Sequence, residues 1–263
     1  MNALAAIRDY RPLLVELVRR DVKTRYTGSL LGLFWSVLNP VLQLVLYTVV
    51  FSVFLKVRLG DGDGHGRFAE YLFCALLPWT AIQESWTRST TGFLTHAHLI
   101  KKAPFALEVI PFSYTLSALL HQLAGTAVFL PVLIWRGTLS AESLPWFVAI
   151  LLVQAVMMVG GGMLLGAANV FIRDVAHVLG VGFMFLFWGT PIVYPKTVVP
   201  EPFTILINLN PLTHLVDTYR WAFFGNPSPA WWGILYCAGF SLLVYVLGHR
   251  FLRRCRPDLL DLL

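Results

Sequence analysis

The sequence predicts an all-α polytopic membrane protein with six transmembrane helices, an N-terminal amphipathic interfacial helix and an external re-entrant helical hairpin. Its 263 residues are 57% hydrophobic and only 13% charged, and the mean hydropathy is +0.69. A soluble domain usually has about a quarter of its residues charged, so the polar surface of a soluble protein is missing here. The apolar residues also form blocks of about 20 residues, the length that a membrane-spanning helix needs.

Six apolar blocks are interpreted as membrane spans. They cover approximately residues 33–57, 69–92, 109–135, 146–169, 177–195 and 231–252. An even number of spans places both termini on the same side of the membrane. That side would carry thirteen Lys and Arg residues, whereas the opposite side would carry six. The positive-inside rule therefore predicts that both termini are cytoplasmic.

The remaining composition favours no enzyme, metal or nucleic-acid site. The basic residues flank apolar spans instead of forming a stripe on a soluble face, which argues against a nucleic-acid partner. Cys74, Cys237 and Cys255 are scattered without metal-ligand spacing. His65 with Asp61 lies in a glycine-rich stretch that is better interpreted as a solvated loop than as a metal site. No paired carboxylates and no nucleophile with an adjacent base are apparent, so no catalytic residue is predicted.

Residues 1–30 are predicted to form a cytoplasmic interfacial helix. Apolar residues recur at helical spacing from Ile7 to Val18, and most basic residues fall on the other face. Such a helix lies in the plane of the membrane interface with its cations toward the lipid head groups. The candidate head-group contacts are Arg19, Arg20, Lys23 and Arg25.

Polar and aromatic residues within the spans are candidates for a translocation path. Glu84 and Arg88 lie four residues apart in the second span, where they can pair with each other. Intramembrane charges commonly face a protein interior or an aqueous path, but a self-satisfied pair near the interface remains an alternative. The aromatic candidates either line the path or belong to interfacial belts and packing. They are Phe34, Trp35, Tyr47, Trp188 and Tyr194.

The segment 196–230 differs from the spans because five prolines interrupt two short apolar stretches, 203–209 and 212–224. Each stretch is too short to cross a bilayer. The pattern predicts two short helices that enter the outer leaflet and return, which requires that protein or a water-filled cavity covers them. We expect this hairpin to cap the external side, with Pro211, Tyr219 and Trp221 as gate candidates.

Three blocks resemble the ABC-2-type exporter permeases, in particular those that export O-antigen, other surface polysaccharides or teichoic acid in bacteria. The blocks are RRDVKTRYTGSLLGLFWSVLNPVLQLVLYTVVFSVF (19–54), THAHLIKKAPFALEVIPFS (95–113) and LNPLTHLVDTYRWAFFG (209–225). The resemblance covers nearly the whole chain. It implies an ABC-2 transmembrane domain over residues 31–263, located in the bacterial inner membrane.

The resemblance also implies partners and a coupling helix. Two copies of the chain would form a central path for a lipid-linked glycan, and each copy would bind one separate ABC ATPase. This chain has no phosphate-binding loop with its lysine, so ATP and Mg²⁺ are expected only on the partner ATPase. The segment 95–105 would be the intracellular coupling helix. Its candidate contact residues are His98, Leu99, Ile100, Lys101, Lys102 and Phe105.

Three other functions remain open from the sequence alone. The cargo within the same fold could be teichoic acid or a small amphipathic drug. A membrane enzyme that acts on lipid-linked sugars is the alternative of another class, and it would need an acidic or histidine-containing site at a membrane face.

Gly162 and Gly166 have the spacing of a small-xxx-small pair, and we interpret them as a site of close helix packing.

Overall fold

The described structure is a bundle of α-helices. It is a computed structural model that describes residues 9–25, 34–54, 67–102, 106–225, 228–229 and 231–263, and no strand occurs in these ranges. The helices are α1 (Arg11–Arg25), α2 (Trp35–Tyr47, continued as a π-helix over Thr48–Phe54), α3 (Arg67–Thr95), α4 (Ala97–Lys102), α5 (Val109–Arg136), α6 (Pro145–Phe171), α7 (Val175–Trp188), α8 (Glu201–Leu209), α9 (Pro211–Phe224) and α10 (Trp231–Leu262).

Among the described residues, three helices are long and apolar enough to cross a membrane. They are α5, α6 and α10, with 28, 27 and 32 residues. At about 1.5 Å per residue, each exceeds the roughly 30 Å of a bilayer core. The 29-residue helix α3 has the same length but contains several charged residues, among them Glu84 and Arg88. The prediction of an all-helical membrane protein is therefore confirmed, whereas the count of six spans stays a prediction.

Two predicted boundaries differ from the structure. The fifth block was expected to be helical to residue 195, but α7 ends at Trp188. Gly189 caps this helix, and Pro191 follows two residues later in the irregular segment before residue 196. The sixth block was expected to end at residue 252, but α10 continues to Leu262. Leu252, at the start of this extension, and Leu259 lie two helical turns apart on the same face, and both are buried against the rest of the chain, which stabilises the helix.

Helix α6 is the central element, and glycines let two neighbouring helices approach it closely. A Cβ atom on Gly160 would lie 2.4 Å from the Cα atom of Tyr245 in α10. On another face, a Cβ atom on Gly166 would lie 2.7 Å from the backbone oxygen of Ser89 in α3, and one on Gly162 would meet the Ser89 side chain. The interpretation of Gly162 and Gly166 as packing glycines is confirmed.

The buried apolar residues form two clusters. The larger one lies between α2, α3, α5, α6, α7, α9 and α10. The smaller one, which we call the end cluster, joins α1, α4, the start of α5 and the end of α10 through residues such as Leu14, Leu17, Ile100 and Leu259. The end cluster thus fixes α1 and α4 at the same end of the bundle.

The opposite end contains the two short helices α8 and α9. The predicted stretches 203–209 and 212–224 match Glu201–Leu209 and Pro211–Phe224, so two short helices are confirmed. Asn210 separates them, and its side chain caps α9 by accepting a hydrogen bond from the Leu212 amide at 3.0 Å. Its amide group also donates to Thr190 at 2.8 Å, which connects the hairpin to the segment after α7. Whether the hairpin enters the membrane stays a prediction.

We predict that Gly160→Leu destabilises the protein strongly, because the new side chain would collide with the α10 backbone. Overpacking of a rigid interior typically costs 1–3 kcal/mol, and backbone has less freedom to move than a side chain. The expected loss is at least about 2 kcal/mol, which should lower Tm by roughly 4 °C or more. Thermal unfolding of the purified protein in detergent measures it.

The matched control is Gly239→Leu, because no atom lies within 4 Å of a Cβ atom at that position in α10. This variant should keep the parental Tm. Equal Tm values for the two variants would show that close packing of α6 on α10 does not limit stability.

Candidate functional site

The short helix α4 presents a basic surface at one end of the bundle. A single residue, His96, separates it from α3. His98, Lys101 and Lys102 are exposed, and Leu99 is half-buried. Ile100 is 5% exposed and packs in the end cluster, so in this chain its side chain faces the bundle, and its contact with a partner stays a prediction. Phe105 lies outside the described residues.

Helix α1 is amphipathic, as the sequence predicts. Leu14 and Leu17 are buried in the end cluster, whereas Arg19, Arg20 and Lys23 are exposed. Arg25 ends the helix, and its side chain lies outside what the structure describes. The apolar face therefore packs mainly on the protein itself, against α5, and the exposed face carries the cations.

Asp21 is the functional candidate that the sequence reasoning missed. It is 9% exposed, and its carboxylate accepts hydrogen bonds from both terminal nitrogens of Arg88, one of them at 2.8 Å. The hydroxyl of Ser117 in α5 also donates to it. One carboxylate on α1 thus holds groups from α3 and α5, and hydrogen-bonded pairs of this bidentate kind are among the strongest in proteins.

Arg88 has further contacts that make it the centre of this polar cluster. Its guanidinium group lies 3.4 Å from the Glu84 carboxylate and 5.1 Å from the centre of the Tyr114 ring. The predicted Glu84–Arg88 pair therefore exists, but Asp21 is the closer partner. Tyr114 also contacts the ring of His96, with ring centres 6.0 Å apart. The cluster hence reaches from α1 to the joint between α3 and α4.

A signal for Asp21 was present in the sequence. Leu14, Leu17 and Asp21 are spaced by three and four residues, which places them on one face of a helix. The basic neighbours of Asp21 in the sequence suggested that this stretch faces solvent. The position of Asp21 on the apolar face of the helix nevertheless predicts that its side chain is buried. A buried carboxylate requires a partner, and Arg88 is a cation in an otherwise apolar span.

A polar cleft opens beside this cluster, between α2, α3 and α5. Its volume is about 140 Å³. The lining residues are Asn39, Pro40, Gln43, Leu77, Thr80, Ala81, Glu84, Ala118, His121 and Gln122. Six of the ten have polar side chains, although the cleft is bounded by helices of a largely apolar chain. Polar side chains at such positions commonly mark a functional site.

A buried hydrogen-bond network lies behind the cleft. The amide nitrogen of Gln122 donates to the Tyr219 hydroxyl at 3.0 Å, and the Tyr219 hydroxyl donates to Gln154 Oε1 at 2.5 Å. The Gln154 amide donates back to Gln122 Oε1 at 2.8 Å. The network joins α5, α6 and α9. Tyr219 is only 1% exposed, so this gate candidate is a buried link between helices.

The other gate candidates belong to the surface where α9 meets the bundle. Pro211 is half-buried and starts α9 after the Asn210 cap. Trp221 is also half-buried and packs against Trp146, with ring centres 5.0 Å apart. Next to it in sequence, Arg220 is 4% exposed.

Arg220 anchors α9 inside the bundle. Its guanidinium group lies over the Tyr71 ring of α3, 3.3 Å from the ring centre. It also donates to the backbone oxygen of Ile192 at 3.1 Å. A second contact of α9 is the ion pair between Lys196 and Asp217. These interactions hold the hairpin against α3 and the segment after α7.

The aromatic path candidates lie on α2 and α7 or in the segments next to them. Phe34 and Trp188 are 58% and 62% exposed, whereas Trp35, Tyr47 and Tyr194 are half-buried. The ring contacts are local: Tyr47 packs on Phe51 of the same helix, and Trp188 packs on its neighbour Phe187. For Tyr47 and Trp188, these described ring contacts are thus made with neighbours on their own helices.

Within the described ranges, no group of three His, Cys, Asp or Glu side chains is arranged to hold a metal ion. Two of the acidic residues instead lie beside basic side chains. Glu70 contacts Arg136 at 3.1 Å, and Glu108 lies 3.7 Å from His249. The site as a whole combines a basic end surface, a buried ion pair and a polar cleft.

The sequence profile of the family described as ABC-2 type transporter matches residues 12–224. An O-antigen export system permease protein RfbA of Klebsiella pneumoniae is 31% identical over 238 residues, which cover 90% of both chains. The RfbA protein of Myxococcus xanthus is 27% identical over 84% of this chain and 83% of its own length. The polysialic acid transport protein KpsM of Escherichia coli is 22% identical over 88% of this chain and 89% of its own.

We predict that Asp21→Asn destabilises the protein by about 1–3 kcal/mol. Breaking a buried ion pair costs about 3–5 kcal/mol, but Arg88 is 30% exposed, so solvent reduces the loss. Arg88→Gln should have a similar effect. Unfolding of the purified variants in detergent measures both.

The double variant Asp21→Asn/Arg88→Gln tests the pairing itself. Its loss of stability should be clearly smaller than the sum of the two single losses, because the second substitution removes a charge that the first left unpaired. The matched control is Glu84→Gln, because Glu84 makes the longer of the two carboxylate contacts with Arg88. This variant should lose less than about 1 kcal/mol of stability. Strictly additive losses would contradict a direct Asp21–Arg88 interaction.

Proposed function

This chain belongs to the ABC-2 type transporter family, and from that premise we propose that it is the permease subunit of an ATP-driven exporter of a lipid-linked polysaccharide, such as O-antigen. The observation that carries the proposal is similarity along most of the chain to permeases named for O-antigen export, with 31% identity over 90% of both proteins. The similarity to a polysialic acid transport protein favours a polysaccharide over a small drug as cargo. The membrane-spanning helices α5, α6 and α10 fit a permease.

The proposed arrangement places six spans in the bacterial inner membrane, with both termini in the cytoplasm. Helices α2, α3 and α7 would be the three spans added to the long apolar helices. The α1 and α4 end would then be cytoplasmic, where the exposed cations Arg19, Arg20 and Lys23 meet anionic lipid head groups. The α8–α9 hairpin would lie at the external side. At 9 and 14 residues its helices are too short to cross, which supports a re-entrant position.

The proposed partner is a separate ABC ATPase that contacts α4. Exposed His98, Lys101 and Lys102 form the surface that it would meet, and charged surfaces of this kind orient partners and accelerate their encounter. ATP and Mg²⁺ would be bound by the ATPase. This chain would contribute no catalytic group and would act only by changing conformation.

The contacts of the described residues suggest how movement of α4 would spread. Helix α4 follows α3 after one residue, so a displacement of α4 acts directly on the end of α3. Arg88 lies two helical turns earlier on α3 and is bound to Asp21 of α1. We propose that this ion pair makes α1 follow α3 during the transport cycle. The buried Ile100 would support the transfer by keeping α4 packed on the end cluster.

We propose that two copies of the chain enclose the path. Helix α7 exposes a row of large apolar residues, including Val181, Phe185 and Trp188. These side chains suit contact with lipid or with a second copy.

The cations of α1 would attract the pyrophosphate of the lipid-linked glycan at the cytoplasmic leaflet.

Reconstituted vesicles test this function. The chain and its ATPase partner are incorporated together, and lipid-linked glycan is supplied on the outer, cytoplasm-like face. We expect transfer of glycan into the lumen only when ATP is present. Vesicles that contain the chain alone should transfer nothing and hydrolyse no ATP. Glycan transfer by the chain alone, or a chemical change of the glycan, would contradict the proposal.

We predict that Lys101→Glu/Lys102→Glu weakens association with the ATPase by about tenfold or more, which corresponds to roughly 1.4 kcal/mol. Both side chains are exposed, so the fold should not change. Co-purification of the two subunits and binding to the immobilised permease measure the effect.

Arg173→Glu is the matched control, because Arg173 is an exposed cation in the connection between α6 and α7, outside α4. It should retain most of the binding. If all of these variants bind the ATPase equally well, or if Arg173→Glu is as defective as the double variant, α4 is not the specific contact.

A further inference from the structure

We propose that the cleft between α2, α3 and α5, together with the polar face of α3, binds hydroxyl groups of the sugar units of the exported chain. This inference rests on the proposed function and deepens it, because it assigns a saccharide-binding surface to named residues. It concerns the sugar part of the cargo and not its pyrophosphate.

The first observation is that one half of α3 exposes a continuous polar face. Thr80, Gln83, Thr87 and Thr91 are all exposed, and their spacing of three and four residues aligns them along the helix. The row is about 17 Å long. On α10, by contrast, the exposed residues of the apolar half are mainly large hydrophobic side chains such as Leu235 and Leu242. The two helices therefore face different surroundings.

This polar row runs from the middle of α3 toward its α4 end. The hydroxyls of Thr80 and Thr91 donate to backbone oxygens of their own helix, but the longer Gln83 amide favours a protein interior or a water-filled cavity over hydrocarbon. The row is exposed in a single chain, so an aqueous path is the surrounding that suits it best. Hydroxyl and amide groups are also the groups that hydrogen-bond sugars without carrying charge.

The second observation is the cleft, which lies beside this row and is open to it at Thr80. Thr80 donates its hydroxyl hydrogen to the Leu76 backbone oxygen at 2.9 Å, and Gln43 donates to Tyr47 at 3.0 Å. Both side chains are thereby held in place, and their oxygens retain acceptor capacity for a ligand hydroxyl. At its inner end, Gln122 is fixed by the network with Gln154 and Tyr219. The donors and acceptors of the cleft are thus preorganised.

The volume of the cleft suits part of one sugar unit. A closed cavity of about 150 Å³ accommodates a benzene ring, and a sugar ring with its hydroxyl groups is larger. The cleft has about 140 Å³, so one edge of a sugar ring can enter while the rest of the unit and its neighbours in the chain stay outside. This geometry fits one unit of a linear polymer that moves past the opening.

The polar groups of the site suit sugar hydroxyls. Within the described residues, the Arg88 guanidinium is already engaged by the carboxylates of Asp21 and Glu84. Hydroxyl groups can donate to the Glu84 carboxylate, and uncharged contacts let successive units exchange.

Cysteine labelling in inner-membrane vesicles that contain the assembled transporter tests whether the row is aqueous. The variants Thr80→Cys and Thr87→Cys are made in a Cys255→Ser background; Cys74 and Cys237 are retained because both are buried. Both should react with a charged, water-soluble thiol reagent. The control Leu152→Cys, a 63% exposed position on the apolar helix α6, should not react. Failure of Thr80→Cys and Thr87→Cys to react would overturn the inference.

Protection from labelling identifies the ligand. Vesicles from cells that make the lipid-linked glycan are compared with vesicles from cells that cannot, and with the latter after addition of sugar-free polyprenyl pyrophosphate. We expect the glycan to slow labelling of Thr80→Cys by about threefold or more. One or two hydrogen bonds to a sugar unit would favour the occupied cleft by about this factor, and an occupied cleft excludes the reagent. Sugar-free polyprenyl pyrophosphate should not protect. The inference would be overturned if sugar-free polyprenyl pyrophosphate slowed labelling as much as the glycan does, or if the glycan did not slow labelling at all.

Transport by Gln43→Leu/Thr80→Val separates this inference from the proposed function. These apolar substitutions suit a membrane interior, so normal expression is expected together with export that falls about three- to tenfold. The control Thr204→Val, an exposed hydroxyl on α8, should export normally. Normal export by the double variant would refute the cleft and leave the proposed function intact. Absence of ATP-dependent export by the unmodified protein would refute the function itself.

Discussion

The pairing of Arg88 with Asp21 is the interaction on which the proposed coupling depends. A cation in an apolar helix is unfavourable unless an anion satisfies it, and here the anion comes from α1, sixty-seven residues away in sequence. The pair, with Ser117 and Tyr114, ties α1 to α3 and α5 at the same end of the bundle as α4. A separate motor that pushes α4 would therefore act on a connected unit.

The rest of the bundle supplies the rigid frame for that unit. Helix α6 lies close to α3 and α10 because glycines remove the side chains that would separate the backbones. The network of Gln122, Gln154 and Tyr219 connects this frame to α9, and Arg220 anchors α9 on α3. A rigid centre with polar attachments at both ends is suited to transmit a displacement without losing its packing.

Much of the fold could be predicted because its signals are local. Apolar blocks of span length identified α5, α6 and α10, prolines and short apolar stretches identified α8 and α9, and helical periodicity identified the amphipathic α1. What the sequence did not reveal depends on contacts between distant segments. The burial of Ile100 in the end cluster and the helical extension of α10 both follow from packing that the local sequence does not contain.

The same distinction applies to the candidate site. Glu84 and Arg88 were recognised because charges in an apolar span are conspicuous, and they do contact each other. Asp21 was missed because its neighbours are basic, although its helical face predicted burial. Tyr219 is a further case, because its sequence position suggested a gate, whereas its hydroxyl is held within a buried network.

The uncoupling of transport from ATP hydrolysis tests the central claim most directly. In vesicles with the ATPase, the ratio of glycan exported to ATP hydrolysed is compared between the unmodified permease and Asp21→Asn. The account predicts that hydrolysis persists while this ratio falls severalfold, and an unchanged ratio would contradict it.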